Sequence, residues 1–267
     1  MRRPVIIAML TDFGLSDGYV ASLKGVILSK APTARIIDVT HTIPAHDIRA
    51  AGYVLWNCYK YFPEGTIFMS VVDPGVGTRR KAIAAGGDGY TFLAPDNGLL
   101  RFILATIRAP RVTEITNKKY FREHVSRTFH GRDIFAPVAA AIASGIELSS
   151  LGVEVEPQTK PHPFRAIEFN AKRLYHGEII HIDRFGNVIT DFLSEGDQPE
   201  SLILKIGRNV LKKCVRTYEE GSAIRPFLIT GSNGLIEVSL KNGNAALHLG
   251  VKAGQRLTLQ VSCIKEK

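Results

Sequence analysis

Cysteine is scarce. Cys58, Cys214 and Cys263 are odd in number, far apart in 267 residues, and without CxxC or metal-ligand spacing. A disulfide framework is therefore excluded, and reduced, mostly buried thiols in a cytoplasmic protein are expected. No stretch is long and apolar enough to span a bilayer. The opening "MRRPVIIAMLTDFG" begins like a signal peptide, but Asp12 interrupts its apolar run and no small-residue cleavage pattern follows. There is no long Lys/Arg block either: 34 basic residues against 25 acidic ones leave +9, scattered along the chain. Neither nucleic acid nor a membrane is an expected partner. GxxxxGK[ST] is missing, and no GxGxxG follows the first strand-like run, so neither standard phosphate cradle is present.

What is present is 45% apolar residues, enough for a full-sized core. "PVIIAML", "ARIIDV", "TIFMSVV" and "GYTFLA" read as buried strands. Between them, "GYVASLKGVILSK" places Val20, Leu23 and Ile27 at helical spacing, and "DIRAAGYVLWNCYKYF" does so with Ile48, Leu55, Cys58 and Phe62. This alternation predicts an α/β domain over residues 1–156, its mostly parallel sheet flanked by helices. Proline-rich residues 157–170 read as a linker. From 171 to 267, "EIIHIDRFGNVIT", "SLILKIG", "RPFLITGSNGLIEVSL" and "QRLTLQVS" predict a smaller antiparallel, barrel-like β domain, with "GSNG" and "KNGN" as hairpin turns.

Ligands of open parallel sheets bind outside the carboxyl ends of the strands. Asp12 follows "VIIAML" and Thr11, and Asp73 follows "TIFMSVV", so two strands deliver acids to one rim. Each acid alone could be a helix cap or turn residue. In "SRTFHGRDIFAPVAAAIASG", Pro137 fits only the first turn of a helix, which should then begin near Asp133 and leave His130 just before its N-terminus. The helix dipole disfavours an imidazolium there. An acid, an arginine and a neutral histidine can activate water, which suits a hydrolase or lyase of a small polar ligand. A divalent metal held by Asp12, Asp17, Asp73 and His130 is the competing reading, against which stands the lack of short ligand spacing.

Taken together, "LTDFGLSDGYVASLKGVI", "VVDPGVGTRR", "APDNGLL", "FHGRDIFAPVAA" and "IDRFGNVITD" resemble, in order and over nearly the whole chain, the S-adenosylmethionine (SAM) hydroxide adenosyltransferases, or SAM hydrolases. These are relatives of the SAM-dependent fluorinase and chlorinase. The resemblance implies a homotrimer with SAM between the N-terminal domain of one subunit and the C-terminal domain of the next. It implies hydrolysis of SAM to adenosine and methionine by attack of water or hydroxide on ribose C5′, with no cofactor and no metal. By motif position Asp73, Arg80 and His130 would act on water, Arg80 being preferred to Arg79 on the family's spacing. Asp12 would hold the ribose hydroxyls, Phe129 would form an aromatic wall, and Asp183 would receive the methionine ammonium. Phe185 and Asn187 would contact adenine, Ser232 would lie near the methionine carboxylate, and Asn244 and Ala245 would offer adenine their backbone.

The resemblance places a tyrosine in the fluorinase where this chain has Asp73, and that enzyme lacks the counterpart of His130 and carries an insertion absent here. A carboxylate repels a bound halide, so a halogenase is disfavoured. A non-catalytic SAM or adenosine sensor, which would need no activating triad, and a metal-dependent hydrolase remain as alternatives.

Overall fold

The computed structural model describes residues 4–168, 173–194 and 202–261, which leaves Cys263 and the last two residues of the expected linker outside the described residues. The chain divides into two compact units, Met1–Pro163 and Phe164–Lys267.

In the first unit, β1 (Ile6–Thr11), β2 (Arg35–Thr40), β3 (Ile67–Val71), β4 (Ala82–Gly87), β5 (Tyr90–Pro95), β6 (Arg111–Ile115) and β7 (Gly152–Glu154) form one sheet ordered β2-β1-β3-β5-β4-β6-β7. Pairing is parallel across β2-β1-β3-β5 and antiparallel from β5 onward. This is the expected α/β architecture with an antiparallel extension. The helices are α1 (Tyr19–Lys30), α2 (Ile48–Tyr59), α3 (Arg101–Thr106) and α4 (Ala136–Ala143).

Strand alternation sorts the core into two layers. Ile7 and Met9 of β1 and Ile67, Met69 and Val71 of β3 pack with Val20, Leu23 and Ile27 of α1 and with Val138 and Ala139 of α4. From the opposite side of β3, Phe68 stacks on Phe92 of β5, whose ring meets Tyr59 of α2. Helix α1 buries the three residues its spacing singled out. Helix α2 buries Leu55, but its inner face also takes Ala50, Ala51, Tyr53, Trp56 and Tyr59, while Ile48 and Cys58 are only half-buried. The reason is Gly52: a Cβ there would lie 2.7 Å from the Leu99 carbonyl oxygen, so the helix lies backbone-close to the segment leading into α3.

The second unit contains β8 (Arg165–Ile167), β9 (Arg173–Ile182), β10 (Val188–Ser194), β11 (Leu202–Ile206), β12 (Asn209–Leu211), β13 (Phe227–Thr230), β14 (Leu235–Ser239), α5 (Ala245–Leu249) and β15 (Arg256–Val261). Its sheet runs β12-β11-β15-β9-β10-β14-β13, antiparallel throughout, with β8 pairing parallel to β10. Beyond β12 the chain reaches the far edge: Val215 N donates to Leu228 O at 2.9 Å and Leu228 N to Lys213 O at 2.7 Å. The sheet thereby nearly closes into the expected barrel, with Phe192, Leu204, Leu228, Ile236 and Leu259 fully buried in its core. "GSNG" is the hairpin turn between β13 and β14. "KNGN" is not a hairpin: Asn244 caps α5 by accepting from Leu247 N at 2.8 Å.

Among the described residues, Cys58 and Cys214 are free, and burial pushes both thiols up, Cys58 to about 11. No helix of the described residues is long and apolar enough to cross a membrane.

Candidate active site

The strand order reverses at β1, with β2 on one side and β3 on the other. Such a switch point opens a crevice at the carboxyl ends of the two strands. Asp12 directly follows β1, and Asp73 lies two residues beyond β3. Both line a cleft of about 510 Å³, together with Phe13, Tyr19, Phe129 and His130.

The chain past β3 turns back tightly. Val76 N donates to Asp73 O, Thr78 N to Gly75 O, and Thr78 Oγ1 to the same carbonyl at 2.6 Å. Gly77 has φ +76°, and a Cβ there would sit 2.2 Å from the Arg127 carbonyl oxygen. The turn therefore packs backbone against backbone on the segment that carries Phe129 and His130. It delivers Arg80 alongside Asp73: Nε donates to both carboxylate oxygens, at 3.0 and 2.9 Å, and Nη2 donates to Oδ2. The two side chains are 9% and 5% exposed, and the guanidinium lies over the Phe135 ring at 5.7 Å. Arg79 is exposed.

Arg80 Nη2 also lies 2.9 Å from His130 Nδ1. A guanidinium can only donate, so Nδ1 is the acceptor and the neutral ring carries its proton on Nε2. Burial first, and the Arg80 charge second, hold the imidazole below its usual range, against the pull of Asp73 and Asp133. His130 precedes a π-helical turn, Gly131–Phe135, that runs directly into α4 with Pro137 in its first turn. The helical segment thus starts two residues earlier than expected at Asp133, and a π turn accommodates the residue without an N–H.

Asp133 has a larger part than starting a helix. Fully buried, it accepts from Arg132 Nε and Nη2 (2.7 and 3.0 Å), Arg122 Nη1 (3.1 Å) and Ser126 N (2.9 Å). Burial alone would raise its carboxyl; Arg132, the Ser126 N–H and Arg122 outweigh that and hold it below the ordinary range. Residues 122–132 are tied to the helix start by this carboxylate. Asn97, in "APDNG", likewise donates to the Val72 carbonyl at 2.9 Å and so holds the peptide just before Asp73. Neither role is announced by the sequence: Asn97 acts on a carbonyl 25 residues away, and Asp133, beside Arg132, also gathers Ser126 and Arg122 from 7 and 11 residues upstream through the way that segment folds back. Asp12 accepts from His46 N at 2.8 Å, with His46 at φ +67°. Phe129 packs edge-on to Tyr19 and Phe13, ring centroids 5.3 and 5.8 Å apart. Asp17, the remaining metal candidate, is exposed and accepts from Ser16 Oγ. Among the described residues no group of three or more His, Cys, Asp or Glu side chains is placed to hold a metal ion.

The second unit carries a cleft of its own, about 620 Å³, lined by Asp183, Phe185, Asn187, Tyr218, Lys241 and Asn244 among others. Asp183 Oδ1 accepts from Phe185 N (2.9 Å) and Asn187 N (2.8 Å), and Oδ2 from Asn187 Nδ2 (2.8 Å). Gly186, at φ +84°, lets Asn244 pack on this turn: a Cβ would meet the Asn244 amide carbon at 2.1 Å. Phe185 stands 76% exposed at the rim. Ser232 is exposed in the β13–β14 turn and does not line the cleft, and the Ala245 side chain is fully buried in the core behind it. Tyr218 and Lys241 carry no local signal that would single them out from sequence.

Two family models match the chain: the SAM hydroxide adenosyltransferase N-terminal domain over residues 7–152 and its C-terminal domain over 177–258. An (R)-S-adenosyl-L-methionine hydrolase of Salinispora tropica is 40% identical over 94% of this chain and 96% of its own length. One of Thermus thermophilus is 39% identical over 96% and 99%. A fluorinase of an Actinoplanes species is more distant, 25% identical over 95% and 97%. The crystal structure of an uncharacterised conserved protein from Thermotoga maritima superposes with a TM-score of 0.83 at 32% identity, covering 95% of this chain and 99% of that one.

Proposed function

The chain belongs to the SAM hydroxide adenosyltransferase family, and from that premise we propose that it hydrolyses SAM to adenosine and L-methionine. The observation that carries the reading is the contact of Asp73, Arg80 and His130 beside Asp12 at the carboxyl ends of β1 and β3. In the name of these relatives the L fixes the α-carbon, so the (R) designates the sulfonium; the substrate of this chain includes that epimer.

A water oxygen attacks ribose C5′ as the C5′–S bond breaks. The bonding pair goes to sulfur, which departs as the neutral thioether of methionine and needs no acid. The oxygen becomes the 5′-hydroxyl of adenosine on losing one proton. Because Arg80 occupies Nδ1, His130 presents Nε2–H and directs a lone pair of the water at C5′. Asp73 is then the group that takes the proton. A carboxylate is a weak base, but an oxygen bonded to carbon and two protons is strongly acidic, so a weak base is enough. Exclusion of water from the sulfonium and the attacking oxygen favours charge neutralisation in the transition state. Asp12 holds the ribose diol, and Phe129 with Tyr19 and Phe13 gives the apolar wall. No step is assigned to a metal.

The second unit's cleft supplies adenine contacts through Phe185, Asn187, Asn244 and the backbone of Ala245, and the methionine contact through Asp183; Ser232, in the β13–β14 turn outside that cleft, is given no contact. Three copies assemble so that SAM lies between the N-terminal unit of one and the C-terminal unit of the next. The carboxylate of Asp73 disfavours halide as the nucleophile.

The test is incubation of the purified protein with each sulfonium epimer in 18O-water, with and without EDTA. Adenosine labelled at the 5′-oxygen is expected in both arms. Adenine as product, label at C1′, or loss of turnover with EDTA refutes the mechanism, and SAM bound but unconverted marks a sensor.

A further inference from the structure

Glu237 is a buried acid that the reaction above leaves without a part. It sits on β14, on the side opposite Ile236 and Val238, which enter the barrel core. Residues directly across from it are Ile189 on β10 and Ile229 on β13, neither able to neutralise a carboxylate. His181 of β9 follows in register beyond Ile189. Two groups that line the second unit's cleft act on the carboxyl, one by contact and one by charge. Tyr218 OH donates to Oε2 at 3.3 Å, and the charge of Asp183 acts on it directly. Oε1 rests against Gly231, where a Cβ would lie 1.9 Å away, so the absence of a side chain at 231 makes room for the carboxyl.

Asp183 alone is poorly supplied to receive an ammonium. A carboxylate offers about four lone-pair directions, and its own turn already fills three of them. An ammonium brings three N–H donors and a full charge, which calls for a further acceptor and a further negative charge nearby.

We propose that Glu237 is the second acid of a cation subsite in the C-terminal cleft, acting through Asp183 and Tyr218 as a positioning residue for the ammonium of the ligand's amino-acid end. This rests on the SAM-hydrolase reading for the identity of that ammonium. Burial, then the charge of Asp183, push Glu237 up to about 7. An arriving ammonium removes the repulsion and draws Glu237 into its ionised form, so tight binding belongs to the ionised state.

The experiment follows KM and kcat for SAM between about pH 6 and pH 7.5, where an α-amino group of ordinary value, about 7.7–8.0, still keeps most of its protons. The ionised fraction rises across this window from about 0.09 to about 0.76, so the wild-type KM should be about eightfold higher at the acid end. Glu237→Gln should flatten that profile and raise KM about tenfold at pH 7.5, the scale of one charge-assisted contact, with kcat little changed. The inhibition constant of adenosine, which has no ammonium, should be the same in both proteins. A wild-type KM that is flat with pH overturns the proposal and needs no variant. So does a Glu237→Gln protein with the wild-type profile, or one weakened equally toward adenosine. Should wild-type protein leave SAM intact, the hydrolase reading falls, and calorimetric titration of SAM into the same two proteins decides the Glu237 proposal: equal affinity overturns it.

Discussion

Gly77→Ala offers the sharpest test of how the site is assembled. Two costs are visible at that position. A residue with a Cβ at φ +76° gives up about 1–2 kcal/mol. The new Cβ would also stand 2.2 Å from the Arg127 carbonyl oxygen, a backbone atom with no rotamer to escape into, and relieving such overpacking costs about 1–3 kcal/mol more. Gly65 provides the control: at φ +83°, with nothing within 4 Å of where a Cβ would stand, its alanine variant incurs only the first cost. At about 2–4 °C per kcal/mol, Gly65→Ala should lower Tm by about 2–8 °C and Gly77→Ala by about 4–20 °C. The decisive reading is activity. Parting the 73–80 turn from the 126–130 segment lengthens the 2.9 Å Arg80–His130 contact, and a misplacement near 1 Å costs about a hundredfold in kcat. Thermal melts and steady-state SAM turnover on the three proteins suffice. A Gly77→Ala enzyme that melts with Gly65→Ala and keeps wild-type kcat refutes the packing argument.

Asp73→Asn and His130→Ala should lower kcat more than they raise KM, by about a hundredfold or more each; equal effects on both constants would recast them as binding residues. Asp73→Asn should also move the His130 titration, followed by NMR, to lower pH, since Asp73 is one of the charges holding it up. Asp133→Asn should weaken the hold on Arg122 and Arg132 and destabilise the fold by about 3 kcal/mol, read as Tm, because those cations lose a buried partner. Glu237 binds its proton more tightly folded, at about 7, than unfolded, at 4.5. Its stabilising contribution is therefore full below about pH 4.5 and lost as pH rises through 7, by about 3 kcal/mol at most. Glu237→Gln should accordingly gain stability relative to wild type at pH 8 compared with pH 5, in paired thermal melts.

Legibility followed the range of the forces involved. Helix α1 and strands β1, β2, β3 and β5 could be read because their apolar periodicity is local, and Asp12 and Asp73 could be placed on one rim because they follow such strands. Strand β4, "AIAAGG", was silent: alanine and glycine carry little β preference, and pairing with β5 and β6 makes it a strand. The antiparallel edge of the sheet escaped with it. In the site, chemistry could be guessed from residue type, but the pairing of Arg80 with Asp73, 7 residues away, and with His130, 50 away, is a matter of side-chain direction. Asn97, Asp133 and Glu237 went unassigned for the same reason. Asn97 and Glu237 act on neighbours brought by folding that nothing beside them announces, and Asp133, though next to Arg132, holds Ser126 and Arg122 only because the 122–132 segment folds back onto it.

The carboxylate of Asp133 has a consequence for timing. By holding Arg122, Ser126 and Arg132 at once, it makes the 122–132 wall of the cleft a finished surface as soon as the chain has folded. The entropy of ordering that wall is spent during folding, and none of it is left for a visitor to supply. A ligand entering from solvent meets a fixed doorway on this side, and its arrival here should be a single step governed by encounter, with no slower closing phase behind it.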